Sequence, residues 1–261
     1  MSAINKLLAV AEAEVGYLEK KSNSNLYDKT ANAGSNNYTK YANDFDKTYT
    51  TFYNGKKNGF AWCDMFVDWC FVKTFGEAMA LKLLGQPKKS CGAGCQFSAN
   101  YYKNINRFFT SPKVGDQIFF KNSSGEACHT GIVYKVGSLY VYTIEGNTSS
   151  ASGVVANGGA VAKKKYLKTY SKIYGYGRPK YTTVDTTPAE FPKGTKLSLK
   201  KVPLYASSTV KAQTKKLTGT YYIYDGEAMN SRYRITNKKD NCGKTPITKY
   251  VTGFVNKTDI D

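Results

Sequence analysis

Gly59-Phe-Ala-Trp-Cys-Asp-Met-Phe-Val-Asp-Trp-Cys70 is the stretch from which the rest of the chain is read. Cys63, Phe66, Val67 and Cys70 recur at the i, i+3, i+4, i+7 spacing of one helix stripe. A helix beginning at Cys63 and ending near Phe75-Gly76 is predicted. A thiol in a first helical turn feels the positive end of the helix dipole and unpaired backbone amides, which favour thiolate. The same amides can donate to an oxyanion once a thiolate attacks a carbonyl. Cys70, two turns deeper, reads as a packing residue. On position alone Cys63 could share that fate.

The chain of 261 residues holds a single histidine, His129, and that shifts the balance. It opens His129-Thr-Gly-Ile-Val-Tyr-Lys-Val136, which reads as a strand entered from the loop Asn122-Ser-Ser-Gly125. A histidine satisfied within the core is the competing reading. A second strand downstream ends in Thr143-Ile-Glu-Gly-Asn147. An imidazole beside a thiol stabilises an ion pair and later protonates a leaving amine. Glu145 or Asn147 can accept from the far ring nitrogen and fix the tautomer, although Gly-Asn after a strand is also turn chemistry. The expectation is that the Cys63 sulfur meets the imidazole in a groove open to solvent.

Around this centre the chain separates into two regions. Residues 1–180 begin with an amphipathic helix carrying Ile4, Leu7, Leu8, Ala11 and Val15 on one face. Glu12 and Glu14 break its apolar run, so it does not read as a secretory signal, and synthesis in the cytoplasm is expected. No apolar run approaches the roughly 20 residues of a membrane span. The polar stretch Ser22 to Asn58 is expected to wrap the surface near the site. Helices follow at Glu77–Leu84, stopped by Gly85 and Pro87, and from Gln96 to Phe109. Three strands, Gln117–Phe120, the His129 strand and Tyr140–Glu145, complete an α+β layout. Residues 181–190 read as a linker. In 191–261, short strands at Thr195–Lys200, Val202–Tyr205, Gly219–Tyr224, Arg232–Thr236 and Tyr250–Val255, with turns at Asp225-Gly226 and Asn237, predict a small β-barrel.

With 38 Lys and Arg against 19 Asp and Glu, the chain carries a net charge of +19. Such a field draws a protein to polyanions: nucleic acid, acidic membrane or a teichoic-acid-bearing wall. No nucleic-acid-binding motif accompanies the lysines, so nucleic acid ranks well below the wall. Solubility alone is the bland alternative. The six cysteines are expected to be reduced in a cytoplasmic setting. Cys91-Gly-Ala-Gly-Cys95 lacks a second pair or histidine for zinc and reads as a glycine-rich loop entering a helix. Asp64 and Asp68, four apart, read as capping and solvated charge. No metal or cofactor is expected.

Ala61-Trp-Cys63, Pro112-Lys-Val-Gly-Asp116, His129-Thr-Gly-Ile-Val133 and Ile144-Glu-Gly-Asn147 resemble, in order and spacing, the CHAP family of cysteine, histidine-dependent amidohydrolases/peptidases. The resemblance implies a papain-like fold of N-terminal helices plus antiparallel sheet that cleaves amide bonds of peptidoglycan. It implies Cys63 as nucleophile, His129 as base, and Glu145 and Asn147 as the orienting pair, with Glu145 the main partner. Some members hold calcium through an Asp-x-Asp run just before the cysteine; Asp44-Phe-Asp46 lies too far upstream for that. Val202–Ser208, Thr218–Gly226, Arg232–Asn237 and Val251–Val255 resemble a bacterial SH3-like domain. That implies a wall-binding module, in which tyrosines either stack on wall sugars and peptides or fill the barrel. Together these imply a phage or prophage endolysin that waits in the host cytoplasm and acts on peptidoglycan and anionic wall polymers after release. The rivals are a cysteine protease or acyltransferase acting on proteins, and a non-catalytic wall-binding protein.

Overall fold

The helix that opens at Cys63 runs to Phe75 in the computed structural model, which describes residues 2–185 and 191–260. The chain divides into two units, Met1–Val184 and Asp185–Asp261. In the first, helix α1 (Ala3–Ala13) starts at Ser2, whose hydroxyl accepts from the Asn5 amide at 3.3 Å. It buries Ala3, Leu7 and Ala11, while Val15 falls beyond its end. Helix α2 (Lys40–Lys47) is followed by α3 (Cys63–Phe75), α4 (Glu77–Leu84) and α5 (Cys95–Asn104). Gly85 ends α4 in the left-handed conformation, as its sequence signal requires.

The sheet of this unit is six-stranded and antiparallel, with β1 (Phe108–Phe109), β2 (Gln117–Lys121), β3 (Ala127–Val136), β4 (Tyr140–Thr148), β5 (Ala160–Leu167) and β6 (Ile173–Gly177) in the order β1-β6-β2-β3-β4-β5. Helix α3 packs on β3 and β4, and α5 on β3, so two helix starts meet the middle of the sheet. Pro112-Lys-Val-Gly-Asp116 builds the entry to β2. Gly115 adopts φ +89°, and the Asp116 carboxylate accepts from the Lys113 amide at 2.7 Å and from Arg178 Nε and Nη2 at 2.9 and 2.8 Å.

Several expectations are corrected. Ser22 to Asn58 is not merely a surface wrap. It contains α2, started by Thr39, and buries Tyr41, Phe45, Phe52 and Tyr53. Its tyrosines, which read as polar, supply core area while their hydroxyls find partners; Tyr41 donates to Glu14 at 2.8 Å. The helix expected to reach Phe109 stops at Asn104, because Asn106 turns to φ +54° and Phe108 pairs with Gly177. Helix α3 is not amphipathic: every residue from Cys63 to Val72 is buried. Tyr181, placed in the linker by sequence, is buried in the first unit and donates to the Gly115 carbonyl at 2.6 Å. Residues 186–190 of that segment lie outside the described residues.

In the second unit β7 (Lys196–Leu204), β8 (Lys215–Met229), β9 (Arg232–Thr236) and β10 (Gly253–Asn256) form an antiparallel sheet in the order β10-β9-β8-β7. Reciprocal 2.9 Å backbone bonds between Tyr205 and Phe254 tie its two edges together. Leu197, Leu199, Val202, Leu204, Leu217, Ile223, Tyr233, Ile235 and Val255 fill the interior. The two strands expected around Lys201 are one strand with an irregularity there, Lys201 taking φ +56°. Asp225-Gly226 is not the turn; it lies within β8, and the reversal falls at Asn230-Ser231, both at positive φ.

Candidate functional site

Cys63 is the first residue of α3, and its approach to the sheet depends on glycine. A side chain at Gly146 would place its Cβ 2.5 Å from Phe66 Cβ and 2.9 Å from the Trp62 ring. Gly146 therefore lets the helix start settle on β4 beside Glu145. Trp62 is anchored in turn by its indole N–H, which donates to Glu19 at 2.8 Å. Gly131 does the same service on β3: a Cβ there would lie 2.4 Å from Glu145 Cγ and 2.8 Å from the Ile144 carbonyl.

His129, on β3, sits opposite Phe120 of β2 and stacks on its ring at 5.9 Å between centroids. Its Nε2 bonds Glu145 Oε2 at 2.9 Å. Glu145 also accepts from Thr143 Oγ1 at 2.5 Å and from the Tyr166 hydroxyl at 3.2 Å, so its carboxylate is fixed from three sides. That leaves Nδ1, buried and with no hydrogen bond of regular geometry, as the ring nitrogen free for the neighbouring Cys63 thiol.

The ionisation follows from these neighbours. The Cys95 thiol, 3.5 Å away sulfur to sulfur, is the largest influence holding Cys63 well below an ordinary thiol pKa. The imidazole of His129 and the Asp64 backbone N–H act in the same direction, against burial. Burial pulls His129 down, but the Cys63 sulfur and the Glu145 carboxylate outweigh it and push the imidazole up to about 10. Cys95 moves the other way, held up by its bond to Cys63 and by burial. These shifts favour a thiolate–imidazolium pair, with the Cys95 thiol in hydrogen-bond contact with the Cys63 sulfur.

Asp64 and Asp68 are not solvated. Asp64 accepts from Ser98 Oγ at 2.8 Å and Gln117 Nε2 at 3.2 Å, and Gln117 also donates to Thr130 Oγ1. Asp68 accepts from the Tyr53 hydroxyl at 2.7 Å and Gln86 Nε2 at 2.8 Å. Burial pushes the Asp64 carboxyl well up, and that of Asp68 up to about 7. The Asp64 bonds lock helix α3 to α5 and β2, and the Asp68 bonds tie it to Tyr53 and Gln86.

Of the four residues expected at the site, Cys63, His129 and Glu145 come together and Asn147 does not. Asn147 takes φ +52° within the irregularity between Glu145 and Thr148 of β4. Its amide donates to Asn37 Oδ1 at 3.4 Å and accepts from the Gly159 N–H at 3.3 Å. The open groove is also not as expected: His129 and Glu145 are 0% exposed and Cys63 keeps 6%, so of the three only Cys63 reaches the surface, by an edge. Two surface hollows, one lined by Phe45, Tyr49 and Tyr53 and one by Leu8, Glu12 and Tyr134, include none of the three residues. Cys95, Gly131, Gly146 and Tyr166 are the partners that sequence reading missed. Only Thr143 had a signal, two residues before Glu145 on the same strand face.

Residues 55–147 match the family described as CHAP domain, which supports the resemblance to a peptidoglycan hydrolase. No curated protein matches the chain. Two solved structures are similar over most of its length. One is described as the crystal structure of Ly7917, with 11% identity, 97% of this chain and 91% of that chain covered, and a TM-score of 0.39. The other is the crystal structure of Ly7917 with the hydrolyzing product of MDP, with 13% identity, 97% and 92% coverage, and a TM-score of 0.38. At those scores the likeness fixes neither fold nor function.

Proposed function

We propose that the chain is a peptidoglycan hydrolase that cleaves an amide bond of wall peptides through Cys63, with His129 as acid and base and Glu145 as its orienting partner. The single observation that carries this reading is the relay from Cys63 to His129 to Glu145 within a segment that matches the CHAP domain. The Cys63 thiolate attacks the amide carbonyl. The backbone amides opening α3, that of Asp64 among them, can donate to the oxyanion. The imidazolium then passes its proton to the departing amine, and the neutral ring takes a proton from the water that releases the acyl group. Burial of His129 beneath the sulfur excludes water from the ion pair and strengthens it.

The second unit is read as an SH3-like wall-binding module. Its tyrosines fall into two sets: Tyr224 and Tyr233 are buried, whereas Tyr205, Tyr221, Tyr222 and Tyr250 are half-exposed. The Arg232 guanidinium stacks over the Tyr205 ring at 3.5 Å, giving a cationic aromatic surface suited to wall carboxylates and phosphates. With a net charge of +19, the chain is suited to an anionic wall, and the biological role proposed is that of a phage or prophage endolysin made in the host cytoplasm. The test is mass spectrometry of products from purified sacculi, run beside a casein digest. New wall amines with the wild type, none with Cys63→Ala and no casein cleavage are expected. Wall cleavage by Cys63→Ala overturns the mechanism, and casein cleavage without wall cleavage overturns the substrate.

A further inference from the structure

Two helices begin on cysteines that face one another. Cys63 opens α3, Cys95 opens α5, and their sulfurs lie 3.5 Å apart in hydrogen-bond contact, with no disulfide between them. A disulfide needs about 2.05 Å, so the sulfurs must close by roughly 1.5 Å. Cys95 sits at the end of Cys91-Gly-Ala-Gly-Cys95, where Gly94 offers no side chain to hinder that movement. The other thiols are differently placed. Cys91 donates to the Pro87 carbonyl at 3.3 Å, and Cys128 lies near enough to feel the charge of Cys63, but among the described residues only Cys63 and Cys95 make a sulfur–sulfur hydrogen bond.

We propose that Cys95 is a resolving thiol, so that hydrogen peroxide converts the Cys63–Cys95 pair into a reversible disulfide that takes Cys63 out of action. The proposal rests on the reading of Cys63 as the reactive thiolate. The chemistry balances in two steps. The Cys63 thiolate attacks the peroxide, the O–O bond breaks, and Cys63 becomes a sulfenic acid while the departing hydroxide takes a proton from the His129 imidazolium and leaves as water. The Cys95 sulfur then attacks the sulfenic sulfur, an S–S bond forms, and a second water leaves with the Cys95 proton. One peroxide is reduced and two thiols lose two electrons; a dithiol returns both. With 6% of each cysteine exposed, the pair admits a small oxidant rather than a bulky one. The resolving thiol would also spare Cys63 the irreversible sulfinic state.

The test treats the full chain with dilute hydrogen peroxide, maps peptides without reduction, and assays clearing of purified sacculi before and after dithiothreitol. A peptide linking Cys63 to Cys95 is expected, with the chain lighter by two hydrogens, wall clearing lost, and clearing restored by the dithiol. In Cys95→Ser the link cannot form, so Cys63 should gain two oxygens and its loss should resist dithiothreitol. The mapping on the wild type stands without any variant. Sulfinic Cys63 with no linked peptide in the wild type overturns the proposal and leaves the nucleophile standing. A linked peptide with undiminished wall clearing overturns the switch by removing Cys63 from the chemistry.

Discussion

Glu145 holds His129 through a 2.9 Å bond to Nε2, with both side chains fully buried and the carboxylate steadied by Thr143 and Tyr166. Replacing Glu145 by Gln keeps an acceptor but removes the charge that raises the imidazole. The expected result in sacculus digestion is a fall in kcat on the order of a hundredfold, with KM little changed. A Glu145→Gln enzyme as fast as the wild type would remove Glu145 from the relay.

The alkaline limb of the rate profile is set by the imidazolium, raised by Cys63 and Glu145 against burial to about 10. Hydrolysis should therefore persist through neutral pH and decline only as pH climbs through about 10. The same pair contributes to stability. Because the folded imidazole value lies above the ordinary 6.5, the imidazolium's share is complete below pH 6.5 and is lost as pH rises through about 10. A pH–rate profile and a thermal-midpoint series check both, and a limb near pH 7 would contradict the ion pair.

Gly131→Ala tests the contact behind Glu145 without touching a reacting group. Its Cβ would lie 2.4 Å from Glu145 Cγ, so the carboxylate must swing away from His129. A kcat loss of about tenfold or more is expected, together with a downward shift of the alkaline limb. A folded variant showing neither effect would show that the strand accommodates the methyl.

Asn147→Gly should retain activity within a few-fold, since the Asn147 amide reaches Asn37 and Gly159 rather than the imidazole. Glycine also accepts the φ of +52° found there. A loss comparable to that of Glu145→Gln in the same kinetic assay would restore Asn147 to the orienting pair.

Asp116→Ala removes the carboxylate that pairs with Nε and Nη2 of Arg178, leaving a guanidinium only partly exposed. The expected cost is about 3 kcal/mol of unfolding free energy, read by denaturant titration. A change below about 0.5 kcal/mol would mean that water replaces the pair.

The helix start at Cys63 and the strand at His129 were legible because each rests on local periodicity or a turn signal, whereas Glu145 was set above Asn147 only by the resemblance to the CHAP family. What escaped depends on distant segments. Asp64 and Asp68 look like surface charge until Ser98, Gln117, Tyr53 and Gln86 are brought to them. Strand β5 hid behind Lys163-Lys-Lys165. It is an edge strand, where outward Lys163 and Lys165 suit an unpaired border and Lys164 turns inward to the carbonyls of Ser149 and Ala151. Asn147 shares a strand with Glu145, yet its positive φ redirects the side chain. The meeting of Cys95 with Cys63 joins residues 32 apart on two helices, which no single-segment pattern encodes.

The most direct measurement is the rate of iodoacetamide alkylation at Cys63 in the native chain as a function of pH, followed by peptide mass spectrometry. A thiolate held by Cys95, His129 and the Asp64 amide should alkylate at a rate already level through neutral pH. A rate that instead climbs steadily until about pH 8.5, as a free thiol's does, would contradict the ion pair.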